Sequence, residues 1–199
     1  MKRQNIAIPG LTCVVLIDKF LMGEEPPLSR KRLKELLSKF GKYDEIFLAV
    51  PDRKVNLYKS YIQDEEEVSI ITIKDGEDEK QLLKNLLTEI AEYQYVIFHP
   101  LNDPLVSPLI LKIFEDMIKD HHAVILRIKN KLDPWRAIYD IQNILDKLES
   151  SEIKMLNEFL EKIGKTLVID DFALRSFEKM GILYEKIEKA KDLRKFKRY

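Results

Sequence analysis

The chain predicts a three-layer α/β fold, a mostly parallel Rossmann-like sheet with helices on both faces. Short apolar runs rich in β-branched and aromatic residues recur along it: LTCVVLI, EIFLAV, VSIITI, YVIF and AVILRI. Between them lie stretches with apolar residues at helical spacing. Strand and helix in alternation are the signature of parallel strands joined by right-handed crossovers. The composition fits a packed core under a heavily charged surface, since 45% of the 199 residues are hydrophobic and 34% charged. One domain over 1–199 is expected at this length.

Residues 11–17 predict the first strand, followed by a loop through Gly23, Pro26 and Pro27. Ser29 is placed to cap a helix over 30–40 whose Leu33, Leu36, Leu37 and Phe40 share a face, and Gly41 is placed to close it. The second strand, 45–50, stops at Pro51. Helices near 54–62 and 78–92 then separate a third strand at 68–73 from a fourth at 95–98. A helix starts at Pro108 and a fifth strand spans 123–128. Helices over 134–147 and 151–163, a short strand at 166–169 and a helical part from about 171 complete the expectation. The acidic runs at 64–69 and 75–80 read as solvent-facing loops and a helix start.

The charge balance, 34 basic against 34 acidic residues, gives no strong nucleic-acid signal. The basic ending KAKDLRKFKRY reads as a solvated helix end. Cys13 alone excludes an internal disulfide, and Cys13, His99, His121 and His122 lack zinc-site spacing, which points to a reducing compartment. The start MKRQNIAIPGLTCVVLIDKF is broken by Pro9 and Gly10 and has no cleavage site for a leader. No run reaches the length of a membrane span, so a cytoplasmic protein without a membrane partner is expected.

Neither a dinucleotide fingerprint nor a phosphate loop is present, and nothing local suggests a serine triad. The loop after the first strand, IDKFLMGEEPPLSRKR, holds Lys19, Arg30 and Lys31, which are either phosphate contacts or, by the plainer reading, exposed charges. The stretch HPLNDPLVSP ends the fourth strand on Asn102 and Asp103, at the strand end where open α/β sheets bind ligands. Asp103 equally suits a cap on the turn before the next helix. His121 and His122 read as a helix C-terminal loop, and Trp135, after Pro134, as packing at a helix start or as part of a partner surface.

Over nearly its whole length the chain resembles the molybdenum cofactor guanylyltransferases and their relatives. VVL leading to Met22-Gly23 resembles their L-A-G-G-x-S-x-R-M-G, and NDPLVSPLILKIFEDM their C-D-x-P-[FL]-[VIL]-[ST]-P with its helix. DPWRAIYDIQNILDKLESSEIKMLNEFLEKIG is similar to P-L-x-A-[VL]-Y with two helices, and KIEKAKDL stands where the family has N-I-N-T-P-E-D-L. The resemblance implies a nucleotidyltransferase-type fold that joins GMP or CMP, from GTP or CTP, to a phosphorylated small-molecule acceptor. It implies Mg2+ at Asn102 and Asp103, Lys19 and Asp103 as catalytic residues, and Leu16, Asp18, Gly23 and Asn102 around the nucleotide.

The motifs also depart from the family. Ile17 and Asp18 replace the two glycines that wrap the triphosphate, and an aspartate there repels phosphate. Leu21 replaces the arginine, Asn102 the metal-binding aspartate, and Lys186 and Glu188 the late asparagines; the G-P-L-x-G segment has no counterpart. These changes leave a second expectation beside the enzyme, a binding or regulatory module on the same fold.

Overall fold

The structure, a computed structural model, describes residues 9–17, 29–65, 67–74, 76–101, 108–128 and 130–170. Every apolar run becomes a strand: β1 (Leu11–Leu16), β2 (Ile46–Pro51), β3 (Val68–Ile73), β4 (Tyr95–Pro100) and β5 (Ala123–Ile128), followed by β6 (Lys131–Asp140) and β7 (Thr166–Asp170). They form one sheet in the order β3-β2-β1-β4-β6-β5-β7. β1 pairs in parallel with β2 and β4, β2 with β3, and β5 with β7, while β6 is antiparallel to both its neighbours. The five expected strands therefore share one direction.

Alternation of side chains along β1 divides the core in two. Cys13, Val15 and Ile17 face one layer, with Leu33, Leu36 and Leu37 of helix α1 (Arg30–Leu37), Tyr58 of α2 (Val55–Ile62) and Phe114 of α4 (Pro108–Met117). Val14 and Leu16 face the other, with Leu83 and Leu86 of α3 (Glu79–Glu89), Ile144 of α5 (Ile141–Ser150) and Phe159 of α6 (Leu156–Lys162). Gly10 aligns β1 with β4: its carbonyl accepts from the Gln94 and Tyr95 amides, both at 2.9 Å. At φ +73°, with a Cβ placed 3.2 Å from that of Gln94, the position suits only glycine.

The cap reading holds at Ser29, whose Oγ accepts from the Arg32 amide at 3.4 Å, and Asp78 starts α3 by accepting from the Gln81 amide at 2.8 Å. Two expectations are corrected. Helix α1 ends at Leu37 with Ser38 as its cap in right-handed conformation, so Gly41 is not the closing residue. The helix expected over 134–147 is instead the second half of β6 followed by α5, which starts where Asp140 accepts from the Asn143 amide at 3.1 Å. Asn130, at φ 64°, lies in the tight connection that folds β6 back on β5, with Ile128 opposite Lys131. His121 ends its helical segment as expected, Nδ1 donating to the Met117 carbonyl at 2.7 Å. No helix among the described residues is long and apolar enough to cross a membrane.

Among the described residues, Tyr58 Oη is a buried side-chain polar atom with no hydrogen-bond partner. Burial pushes this phenol up, and does the same to Tyr43, Tyr139 and the Cys13 thiol. The native state thus keeps protons that an unfolded chain releases above pH about 8.5 for cysteine and about 10 for tyrosine. Stability is fully present below those values and falls as pH rises through them. Tyr58→Phe removes an unpaired hydroxyl and one of these groups. It should raise stability by about 1 kcal/mol at neutral pH and flatten the alkaline decline, read by urea unfolding between pH 7 and 10.5. A loss of stability at pH 7 would show that the hydroxyl is satisfied.

Candidate functional site

From β1 the chain winds to β2 and β3 on one side, then returns to place β4 on the other side of β1. The order reverses between β1 and β4, and in open α/β sheets the crevice beyond the strand ends at such a reversal is where ligands bind. Here the two ends are level. Leu16 lies opposite Pro100, and the Leu101 amide donates to the Leu16 carbonyl at 2.8 Å. On the other side the Ile17 amide donates to the Ala49 carbonyl at 2.9 Å, tying β1 to β2 up to its last described residue.

Of the residues singled out in the sequence, Leu16 sits at this edge with its side chain in the α3 layer, 7% exposed. Asp18, Lys19, Gly23, Asn102 and Asp103 lie outside the described residues. Leu101, the residue before Asn102, is fixed at the end of β1 by the bond above. Arg30 is not beside the strand ends: its guanidinium pairs with Asp64 at 2.5 Å and donates to the Tyr61 carbonyl at 3.1 Å, at the far end of α2. Lys31 is exposed. Arg30 thus matches the plainer reading of a helix-start charge. His99 is a core histidine, 4% exposed, with its ring 5.4 Å from that of Phe40. Among the described residues no group of three or more His, Cys, Asp or Glu is arranged to hold a metal ion.

The edge also carries a feature that the sequence did not reveal. Along the β5–β6 ladder Ile125 faces Ala137, but the next residue, Leu126, faces Asp133, so 134–136 are extra residues that bulge from β6. Because β6 runs antiparallel to β4, with Phe98 opposite Ala137, this bulge lies beside the end of β4. One Asp133 oxygen accepts from the Trp135 amide at 3.1 Å and the other pairs with Arg136, which is 5% exposed. The Trp135 ring packs edge-on against Phe98, centroids 5.7 Å apart, and Tyr139 donates to the Pro134 carbonyl at 2.9 Å. Trp135 thus packs on a strand rather than at a helix start. A proline after an aspartate within an apolar stretch is the signal for this bulge, since proline inside a sheet marks an edge or a bulge.

No protein-family model matches the chain, and no curated protein matches it in sequence. Solved structures do match. The molybdopterin-guanine dinucleotide biosynthesis protein A of Archaeoglobus fulgidus superposes with a TM-score of 0.63 at 17% identity, over 92% of this chain and 95% of that one. The 4-diphosphocytidyl-2C-methyl-D-erythritol synthase of Anaerococcus prevotii gives 0.61 at 15% identity, over 80% and 86%. Rv0371c of Mycobacterium tuberculosis, in complex with manganese, gives 0.56 at 12% identity, over 80% and 88%. The likeness is one of fold: the chain has the Rossmann-like α/β architecture of nucleotidyltransferase type that its sequence resemblance implied.

Proposed function

We propose that this protein transfers a nucleoside monophosphate from GTP or CTP to a phosphorylated small-molecule acceptor, at the strand ends of β1 and β4. The observation that carries the reading is the reversal of strand order between those strands, with Leu16 level with Pro100. It is supported by the fold shared with a guanine dinucleotide biosynthesis protein and a diphosphocytidyl synthase. In the reaction, an oxygen of the acceptor phosphate attacks the α-phosphorus. The bond from that phosphorus to the bridging oxygen breaks, and its electron pair leaves with pyrophosphate.

In this reading Lys19 meets the phosphates, and Leu16, Asp18 and Gly23 contribute backbone around the nucleotide. Asp103, with Asn102 as a neutral oxygen donor, would hold Mg2+, hard oxygen donors being what that ion prefers. When bound, the cation would offset phosphate charge. A manganese complex of a protein with this fold supports a divalent ion in kind.

A second reading, a binding or regulatory module, is favoured by one observation. Ile17, in place of a phosphate-wrapping glycine, is fully buried in the core, so a branched side chain fixes the backbone where the family keeps it bare. Calorimetry with GTP, CTP and ATP, with and without Mg2+, distinguishes the two. The enzyme reading expects weak binding of GTP or CTP with only slight dependence on Mg2+, because glycine amides and a carboxylate are missing. No nucleotide binding at all overturns it, and micromolar or tighter binding abolished by a chelator contradicts the weak-site expectation.

A further inference from the structure

We propose that the outer edge of β3 is where two copies of this chain join, antiparallel and about a two-fold axis beside Ile71, into one continuous sheet. The proposal stands apart from the nucleotidyl transfer reading, since β2 separates this edge from β1. Among the described residues β3 has a strand neighbour on one side only. Its six residues, VSIITI, are all β-branched but Ser69, with no proline and no charge. The pairing with β2 runs without a register shift from Ile46 opposite Val68 to Pro51 opposite Ile73, so no bulge turns the edge aside. Strands that end a sheet are ordinarily protected by a lysine, a proline, a bulge or a cover, and this one has none of the first three. Val68 and Ile70 are half-buried, and Thr72 is exposed.

The backbone fixes which groups face outward. The Ile46 amide donates to the Glu67 carbonyl at 3.3 Å, so Glu67 and, by alternation, Ser69, Ile71 and Ile73 turn their peptide groups to β2. Those of Val68, Ile70 and Thr72 point away from it. The Val68 amide is taken by the Glu65 carbonyl at 3.3 Å, which leaves Ile70 and Thr72, one on each side of Ile71. A two-fold axis there sets Ile70 opposite the partner's Thr72, each donating to and accepting from the other, and repeats the exchange in reverse. The same register puts Lys74 opposite the partner's Val68, next to the partner's Glu67. Glu67 and Lys74 are both exposed, and neither side chain has an ion pair or hydrogen bond among the described residues, whereas Asp64 and Glu65 are paired with Arg30 and Lys34. The strand therefore carries a spare anion at one end and a spare cation at the other. An antiparallel copy brings them together twice, while a parallel copy would set like beside like. Such an isologous contact closes after two copies.

Sedimentation equilibrium of the full chain over a wide concentration range should give a monomer–dimer equilibrium with nothing larger. Thr72→Pro removes an outward N–H at an edge position where proline is tolerated, and should weaken the dimer about tenfold or more with the far-UV circular dichroism unchanged. Glu67→Lys and Lys74→Glu each set like charges together at both ends of the contact. Each should raise the dissociation constant about tenfold at low salt, and the double variant Glu67→Lys/Lys74→Glu should bring it back near the wild-type value. Both residues are exposed, so the swap tests the contact without disturbing the core, even where Thr72→Pro fails to fold. A monomer at every concentration overturns the proposal, as does assembly beyond the dimer or a dimer indifferent to a folded Thr72→Pro. Single reversals that bind as wild type, or a double variant that recovers nothing, overturn it as well.

Discussion

Phe98→Ala should lower the free energy of unfolding by about 3–5 kcal/mol, the usual range for deleting a buried aromatic ring. Phe98 is 1% exposed and lies on β4 between two other rings, Trp135 and Tyr139, each with its centroid 5.7 Å away in an edge-on arrangement. Truncation leaves a cavity and removes both aromatic contacts, worth about 0.5–1.5 kcal/mol each beyond their area. In a chain of this size the melting temperature should fall by about 6–20 °C. The effect should also reach the bulge, because the ring that Trp135 rests on is gone: its emission should shift to the red and become more accessible to quencher in the folded protein. Phe98→Leu, which keeps most of the volume, should cost less than half as much. A loss under 1 kcal/mol with an unchanged Trp135 spectrum would sink the claim that this ring joins the core to the strand-end site.

That dependence of a site on packing explains what could be read in the sequence. The central strands β1, β2 and β4 were legible because they are buried on both faces, or nearly so, and read as continuous apolar runs, while β3, only partly buried at the sheet edge, was legible from its β-branched residues. Helices α1 and α3 were legible because Ser29 and Asp78 cap them and their leucines share one face. β6 was not. Trp135, Ile138, Ile141 and Ile144 stand three residues apart, a helical spacing that runs unbroken across a strand, a cap and a helix. Pro134 before them reads as a first helical position. What decides the outcome is tertiary: two long-range ladders, to β4 and β5, hold 131–140 extended, and the bulge breaks the alternation that would have announced a strand. Asp140 was the local sign, a cap in the middle of the supposed helix.

For the site, the same distinction applies. The place of the crevice follows from strand order, which adjacent apolar runs suggest and pairing fixes. The place of Arg136 does not follow from spacing, since a residue assigned to a helix surface looks like any solvated charge. Only the register jump at Ile125 and Leu126 brings it beside the end of β4. Conversely Arg30, adjacent in sequence to the loop after β1, is drawn away by Asp64 and the Tyr61 carbonyl.

Glu115→Ala should cost about 2–4 kcal/mol, more than an ordinary surface ion pair, because Glu115 is a buried carboxylate joining two segments far apart in sequence. It lies on α4, 3% exposed, and one oxygen accepts from the Tyr43 hydroxyl at 2.9 Å and from the Lys42 ammonium. Both donors come from the turn between α1 and β2, so the carboxylate pins that turn to α4. Its charge also adds to burial in pushing the Tyr43 phenol up. Without it Tyr43, itself 7% exposed, keeps a buried hydroxyl with no acceptor from this residue. Lys42, with 26% of its side chain exposed, can turn to water, which holds the cost below that of a fully enclosed pair. Glu115→Gln retains a carbonyl oxygen for Tyr43 and should lose only about 1 kcal/mol. Tyr43→Phe in the Glu115→Ala background should restore part of the loss, since the stranded hydroxyl is then gone; urea unfolding of wild type, Glu115→Ala, Tyr43→Phe and the double variant gives the coupling directly. If Glu115→Ala lies within 0.5 kcal/mol of wild type, the carboxylate is not what holds the turn.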